Sequence, residues 1–234
     1  MPRRAPSPEF SDRIILPGLG ATPHRTSVNT NELPWSAVAK INMAGVGSCT
    51  GVLIGPTTML TAAHCMVDHR AGRMISPGQI HVLLGYDRGA YTKHVIADRY
   101  RVPKGYDPEH FNGTSFSDMA VIRFSEPVSA TVVPLAEGDA GPGRDIMLGG
   151  YGQDRPEAVL ADANCFVQSL VQDYGGDLVL THNCAATRGT SGGPVFARGA
   201  DGSWRLMGLN VTARTDSVGG GAVPASAIRA FLTQ

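Results

Sequence analysis

Ser191 lies in the glycine-rich stretch 187–195, where its neighbours could support chemistry at its hydroxyl group. Gly189 precedes the serine by two residues, and Gly192 and Gly193 follow it directly. Glycine backbones can turn their N–H groups toward one point and let a substrate approach closely. A serine hydroxyl is a weak nucleophile until a neighbouring base removes its proton. The pattern therefore predicts a nucleophilic serine beside backbone N–H donors.

Two other short stretches supply the groups that such a serine needs. His64 follows an apolar run and precedes a cysteine, and an imidazole can take up a proton near neutral pH. Asp118 directly precedes the apolar run 119–122, where a carboxylate can orient the imidazole and stabilise its charged form. Asp98 and Asp107 are rival carboxylates, but neither stands before an apolar run of this kind. The order histidine, aspartate, serine is one of the few that acyl-transfer triads use.

The three motifs resemble those of the trypsin and chymotrypsin superfamily of serine peptidases. They read T-A-A-H-C at His64, D-M-A-V at Asp118 and G-T-S-G-G-P at Ser191, in the order found in the superfamily. The resemblance covers residues 26–232, and the segment before the first strand is similar to that of bacterial members such as the V8-like glutamyl peptidases. It implies a serine endopeptidase with these three residues as base, orienting carboxylate and nucleophile. Gly189 and Ser191 are then expected to donate backbone N–H groups to the oxyanion.

The resemblance also implies an all-β fold of two six-stranded antiparallel β-barrels, chymotrypsin-like, with a short C-terminal helix. The 29 glycines and 16 prolines agree with this, because they favour short strands joined by tight turns. Helical spacing over 226–232 predicts the helix, with Ser226 as its N-cap. Six apolar runs in each half are predicted as strands: 37–42, 48–54, 59–61, 80–84, 91–100 and 119–124, then 145–150, 164–171, 178–182, 194–197, 205–212 and 222–223.

Composition along the chain predicts its division into parts. Residues 1–25 are rich in proline, arginine and serine without periodicity, so they are interpreted as a leader or flexible arm. The N-terminal barrel, which carries the histidine and the aspartate, is expected at 26–130. A linker with several prolines and glycines follows at 131–143. The C-terminal barrel, with the serine and the helix, is expected at 144–234, which puts the active site in the cleft between the barrels.

The positions that surround the substrate side chain before the scissile bond, P1, differ from those of trypsin. The predicted pocket residues are Ala185, Ala186, Asn210, Ala213 and Gly221. None of them can pair with a basic P1 side chain. Asn210 and Ala186 stand where the glutamyl relatives carry the histidine and hydroxyl residue that hold a carboxylate. We therefore expect an apolar P1 residue.

Thr190 directly precedes the predicted nucleophile, where animal members of the superfamily carry an aspartate. That aspartate forms an ion pair with a freed N-terminal amine and so shapes the oxyanion loop. A neutral hydroxyl cannot form the ion pair. We expect activity without an N-terminus inserted beside Ser191, and a loop 188–192 held by its own backbone and by packing near Cys184.

Four cysteines allow three disulfide pairings, or four buried thiols in a reducing compartment. The resemblance implies one bridge between Cys49 and Cys65, beside the histidine, and a second bridge would then join Cys165 and Cys184. Two bridges indicate an oxidising location, so we expect a secreted or periplasmic protein. The first residues carry positive charge without an apolar run behind it, and they do not resemble a signal peptide.

Charge and hydropathy argue against several other kinds of partner. The formal net charge is zero and 17% of residues are charged, so no face for nucleic acid is expected. No stretch approaches the roughly 20 apolar residues of a membrane helix. No cluster has the spacing of metal ligands, and no cofactor is expected. A monomer acting on a protein or peptide substrate is the prediction.

A non-catalytic binding module on the same fold is the alternative, because a fold does not fix a function. Inactive relatives usually lose a triad residue or a motif glycine, and this chain keeps them all. A lipase or esterase of the α/β-hydrolase type does not fit, because its triad order differs and because helices and strands do not alternate here.

Overall fold

The computed structural model describes residues 16–104, 106–107, 117–129, 131–172 and 176–234. Nearly all regular structure in these ranges is β. The 3₁₀ helices cover Trp35–Ala37, Ala63–Met66 and Pro77–Gln79, and the α-helix α1 covers Ala225–Leu232. The strands are β1 (Arg25–Ser27), β2 (Val38–Met43), β3 (Gly47–Gly55), β4 (Thr58–Thr61), β5 (Val67–Asp68), β6 (Arg73–Met74), β7 (Ile80–Leu84), β8 (Lys93–Ile96), β9 (Arg99–Arg101), β10 (Ala120–Arg123), β11 (Asp145–Gly150), β12 (Leu160–Gln172), β13 (Leu178–His182), β14 (Pro194–Arg198), β15 (Trp204–Ala213) and β16 (Gly220–Pro224).

In strand β7, buried residues alternate with partly covered ones. Successive side chains of a strand point to opposite faces, so every second residue reaches the core. Ile80, Val82 and Leu84 are buried, while the two residues between them are only partly covered. The predicted bounds 80–84 are confirmed, as are 145–150 and 178–182.

The C-terminal half forms a closed antiparallel barrel. Its strands follow the order β12, β11, β14, β15, β16 and β13, and pairing of β13 with β12 closes the ring. β1 adds to the outside of β12, with Arg25 opposite Asp162. The six-stranded barrel predicted for this half is confirmed.

The N-terminal half forms an antiparallel sheet of seven strands in the order β8, β7, β2, β3, β4, β10 and β9. Among the described strands no ladder joins β8 to β9, so the sheet is strongly curled but open. The observed sheet differs from the predicted closed barrel of six strands because the predicted strand 91–100 bends at Ala97 and Asp98. The amide of Ala97 donates to Ile80 O, and the amide of Asp98 donates to Arg123 O. The chain thereby passes from one edge of the sheet to the other.

The two halves pack directly against each other. Trp35, just before β2, meets Phe196 of β14 edge to face, with ring centroids 5.6 Å apart. A side chain at Gly149 of β11 would come within 2.6 Å of the Trp35 ring, so the contact leaves no room there. The segment between the halves contacts both, because the amide of Val133 donates to Leu53 O and that of Ala136 to Leu206 O.

Helix α1 begins one residue earlier than predicted, and the prediction of Ser226 as its N-cap is wrong. Ser226 lies inside the first turn, behind Pro224. Its amide and its hydroxyl donate to the Asp139 carboxylate at 2.8 and 2.6 Å. A carboxylate is favourable at a helix N-terminus because the unpaired N–H groups there carry partial positive charge. No helix within the described ranges is long and apolar enough to span a membrane.

Part of the predicted arm 1–25 lies outside the described residues, and 16–25 lie against the C-terminal barrel. The amide of Gly18 donates to Arg214 O at 2.7 Å. Gly18 O accepts from the amides of Ala186 at 3.2 Å and Gly219 at 3.3 Å. The division at 25 and the other domain bounds stay predictions.

Candidate active site

His64 and Asp118 are brought together by the pairing of two neighbouring strands. β4 ends at Thr61, just before the 3₁₀ turn that contains His64. β10 begins at Ala120, two residues after Asp118. The strands are antiparallel and Ala120 lies opposite Thr61, so the end of one strand meets the start of the other. The register therefore places the predicted base beside its predicted partner.

Asp118 accepts two hydrogen bonds from His64. Its Oδ2 lies 2.8 Å from His64 Nδ1, and its Oδ1 accepts from the His64 backbone amide at 2.9 Å. The carboxylate is fully buried, whereas the imidazole is 16% exposed. With Nδ1–H donating to the carboxylate, Nε2 is the ring nitrogen able to take up a proton.

Ser191 and His64 line one cleft of about 590 Å³. The serine lies in the loop between β13 and β14, and its carbonyl accepts from the Thr50 amide of β3 at 2.9 Å. A residue of the N-terminal half therefore forms a hydrogen bond with the loop of the C-terminal half that carries Ser191. The other lining residues are Pro17, Met43, Val46, Gly47, Ser48, Cys49, Cys65, Val67, His69, Thr187, Arg188, Gly189, Asn210, Val211, Thr212, Ala213 and Thr215.

The peptide between Arg188 and Gly189 is held by the loop after β11. The amide of Gln153 donates to Arg188 O at 2.7 Å. A trans peptide is planar and its N–H points opposite to its C=O, so the Gly189 N–H points away from Gln153. Gly189 has φ +89°, and a Cβ there would lie 2.3 Å from Tyr151 O. Only glycine fits this position.

The peptide between Thr190 and Ser191 is held in the same way. Thr190 O accepts from the Gly193 amide at 2.8 Å and from Asn210 Nδ2 at 3.3 Å. The Ser191 N–H therefore points to the opposite side. In the described ranges, neither this amide nor that of Gly189 donates a hydrogen bond to another residue. Both amides are available to a ligand.

His182 is fully buried and its side chain contacts that of Asn210. Its position at the end of a strand did not predict this contact. The Cys184 amide donates to His182 Nδ1 at 3.2 Å, so Nε2 carries the proton and donates to Asn210 Oδ1 at 3.1 Å. Burial lowers the pKa of His182 to about 4. The bond to Asn210 and the charge of Asp162 act to raise this pKa, and Arg214 lowers it. The imidazole is therefore neutral near pH 7.

The loop that carries Ser191 has bonds of its own, as expected, including Thr190 N–H to Thr187 O at 3.0 Å. Most of the other hydrogen bonds that restrain this loop come from residues outside it, namely Thr50, Gln153 and Asn210. The sequence did not predict the contributions of Thr50 and Gln153, because a single threonine and a backbone amide do not form a recognisable motif.

The predicted pocket residues fall into two groups. Asn210 and Ala213 line the cleft, whereas Ala185, Ala186 and Gly221 are absent from its described lining. The segment around Gly18 lies over Ala186, since a Cβ on Gly18 would be 1.9 Å from Ala186 O. Pro17 consequently contributes to the cleft, which composition alone did not predict.

Both expected disulfides are present, joining Cys49 to Cys65 and Cys165 to Cys184. In the part of the chain that is described, one group of residues has potential metal-ligand atoms close together: Cys49, His64 and Cys65. Its two sulfur atoms are bonded to each other, so they offer no thiolate to a metal.

The chain is similar to several known peptidases. It is 32% identical over 131 residues to a glutamyl endopeptidase of Bacillus licheniformis, covering 54% of this chain and 38% of the relative. It is 24% identical to transmembrane protease serine 5 of Homo sapiens, over 78% of this chain and 44% of the relative. A peroxisomal leader peptide-processing protease of Mus musculus is 22% identical, over 90% and 34%. The chain spans less than half the length of these relatives.

A comparison with solved structures tests the predicted fold. A solved structure of a Glu endopeptidase in complex with MPD matches with a TM-score of 0.74 and 22% identity, covering 92% of this chain and all of that one. The predicted chymotrypsin-like fold is confirmed. The model of the trypsin family matches residues 24–232, close to the 26–232 over which the motifs and spacing resemble that family. The chain therefore belongs to the trypsin family.

Proposed function

We propose that this protein is a serine endopeptidase that hydrolyses peptide bonds through an acyl-enzyme intermediate. The observation that carries the proposal is the His64–Asp118 pair, hydrogen-bonded twice and sharing a cleft with Ser191. The pair leaves His64 Nε2 as the proton acceptor, and the serine supplies a nucleophile in the same cleft.

In the acylation step, Ser191 Oγ attacks the substrate carbonyl carbon while His64 Nε2 takes the hydroxyl proton. The carbonyl oxygen becomes an oxyanion that accepts from the Gly189 and Ser191 amides. The C–N bond then breaks, and His64 returns the proton to the leaving amine. Asp118 stays ionised throughout and stabilises the imidazolium.

In the deacylation step, water replaces the amine. His64 removes a proton from the water, whose oxygen attacks the ester carbon, and the bond to Ser191 Oγ breaks as that oxygen regains a proton. The same two amides stabilise the second oxyanion. Loss of one such donor typically raises the barrier by about 2.7–4 kcal/mol.

For the P1 side chain we propose an apolar preference. No carboxylate lies among the described residues that line the cleft, so a Lys or Arg side chain would find no partner there. The Asn210 side chain is already bonded to His182 and Thr190, which leaves it poorly placed to bind a carboxylate. Val211 and Ala213 supply apolar surface.

Glutamate at P1 is the second candidate, and a specific observation favours it. Arg188 is exposed at the cleft and carries a positive charge. The similarity to a glutamyl endopeptidase points the same way. Without a buried partner for the carboxylate, we expect Arg188 to act at the rim only, adding the small contribution of an exposed charge pair.

We further propose a secreted or periplasmic monomer that acts on protein or peptide substrates. Two disulfides support an oxidising location.

A peptide library that varies P1 tests both the activity and the preference. We expect hydrolysis by the wild type after apolar residues and none by Ser191→Ala. A strong preference for Glu or Arg would overturn the proposed P1 specificity. Absence of hydrolysis by a folded wild type, together with binding of the same peptides, would favour the non-catalytic binding module instead.

A further inference from the structure

Thr50 lies at the junction of the two halves and is fully buried. It belongs to β3 of the N-terminal sheet, directly after Cys49. Its hydroxyl donates to Gly189 O at 2.8 Å and accepts from the Tyr151 amide at 3.0 Å. Its own amide donates to Ser191 O at 2.9 Å. One residue of the first half therefore bonds to both sides of Thr190 in the second.

The hydroxyl of Thr50 acts both as a donor and as an acceptor. Its single hydrogen is used on Gly189 O, and one of its lone pairs is used by Tyr151 N–H. A Cβ at Gly150 would lie 2.5 Å from Thr50 Oγ1, so the surrounding backbone is tightly packed. Thr61 Oγ1 donates to Thr50 O at 2.8 Å and fixes the backbone of β3 at this point.

The bond to Gly189 restrains the backbone that carries the Gly189 and Ser191 amides. Gly189 has φ +89°, a conformation that glycine can leave readily because it has no Cβ. Rotation about this residue would change the direction of the Gly189 N–H relative to that of the Ser191 N–H. Thr50 opposes that rotation by holding Gly189 O, and its amide holds Ser191 O on the other side.

We propose that Thr50 is a positioning residue for the reaction, holding the loop 188–192 in the form that stabilises the oxyanion. It does so through hydrogen bonds from the N-terminal half. Thr190 is uncharged, so it cannot form the ion pair that shapes the oxyanion loop in animal members of the superfamily. This inference rests on the proposed peptidase function.

The test compares Thr50→Val, which has nearly the same shape but no hydroxyl, with Thr50→Ser, which keeps the hydroxyl. A matched control is Thr58→Val, because Thr58 is also buried and accepts a hydrogen bond from Arg123 away from the cleft. The readouts on the full chain are kcat and KM for a peptide substrate and inhibition by a peptide boronic acid. The boron binds Ser191 Oγ, and the tetrahedral adduct directs an oxygen at the two amides.

We expect Thr50→Val to lower kcat by about 100-fold, as for loss of an oxyanion donor, with KM changed only a few-fold. Inhibition by the boronic acid should weaken by a similar factor, while a product peptide, which has no tetrahedral centre, binds as to wild type. Thr50→Ser should recover most of the lost kcat. Thr58→Val should keep both the kcat and the boronic acid affinity of the wild type.

Equal kcat and equal boronic acid affinity in folded Thr50→Val and wild type would overturn the proposal. If Thr50→Val does not fold, Thr50→Ala replaces it in the same comparison, and failure of both to fold would make Thr50 a stability residue only. Failure of the peptidase function itself is recognised separately, because the wild type would then neither cleave peptides nor bind the boronic acid.

Discussion

At the residue scale, the orientation of His64 depends on a carboxylate that only accepts hydrogen bonds. Asp118 takes one bond from Nδ1 and one from the backbone amide of the same residue. In Asp118→Asn, an amide NH₂ group facing Nδ1 favours the other tautomer, which places the ring proton on Nε2. We expect turnover to fall by about 10⁴, as for the corresponding substitution in this family, with the fold intact. Steady-state hydrolysis of a peptide substrate measures this.

Asp98→Asn is the matched control for that experiment. Asp98 is an exposed carboxylate that pairs with Arg99 at 3.0 Å, and it is one of the two rivals to Asp118 in the sequence. It should retain wild-type turnover. Equal losses in the two variants would show that Asp118 has no special part in the reaction.

His182 makes stability depend on pH. Its pKa is lowered to about 4 in the folded protein, because burial disfavours the charged imidazole, against about 6.5 in the unfolded chain. As the pH falls from 6.5 toward 4, the unfolded chain gains a proton that the folded protein does not. The free energy of unfolding should therefore decrease by about 3 kcal/mol over that range from this residue alone, and no such loss occurs above pH 6.5.

Urea unfolding at pH 7, 6, 5 and 4 measures this dependence. His182→Gln removes the titrating group, so its free energy of unfolding should fall less steeply between pH 6.5 and 4 even if it is lower throughout. Parallel curves for the two proteins would contradict the assignment of the neutral, buried state to His182.

At the scale of elements, α1 depends on a carboxylate from the segment between the halves. Asp139 accepts from both the amide and the hydroxyl of Ser226 at the start of the helix. We expect Asp139→Ala to lower the free energy of unfolding by about 1–2 kcal/mol, since it removes the cap and a favourable charge. Glu137→Ala, an exposed carboxylate on the same segment, should change it little. Equal midpoints of urea unfolding for Asp139→Ala and wild type would contradict this account.

Sequence patterns predicted the bounds of three strands correctly. The bounds of β7, β11 and β13 agree with prediction. In β7 and β13 buried residues alternate with partly covered ones, whereas β11 is buried continuously over 148–150. The predicted strand 91–100 was too long, since apolar periodicity continues across the bend at Ala97 and Asp98. Ser226 is a favoured capping type, but Pro224 and Ala225 already start the helix, and a distant carboxylate caps it.

At the scale of the whole molecule, each half is cross-linked by one disulfide. Cys165 and Cys184 lie 19 residues apart in the C-terminal barrel. Replacing both by alanine should lower the free energy of unfolding by about 3 kcal/mol, mainly because the unfolded chain gains conformational freedom. Urea unfolding measures the difference. Equal free energies of unfolding for the double variant and the wild type would contradict this.

The residues proposed to react could be predicted from sequence because each lies in a motif with a fixed order of residue types. The residues that hold them could not. Thr50 is a common residue on an ordinary strand, and its bonds to Gly189 and Tyr151 join positions about 100 residues or more apart in the chain. The position of Pro17 at the cleft likewise depends on backbone hydrogen bonds of Gly18, which no side-chain pattern encodes.

Covalent labelling of Ser191 tests the central claim most directly. A peptide diphenyl phosphonate reacts when an activated serine oxygen attacks phosphorus and phenol leaves, and mass spectrometry of the digested protein locates the adduct. We expect one adduct per wild-type molecule, on Ser191, with labelling slowed by several orders of magnitude in His64→Ala and absent in Ser191→Ala. Labelling of Ser191→Ala at the wild-type rate, or an adduct elsewhere in the chain, would contradict the account.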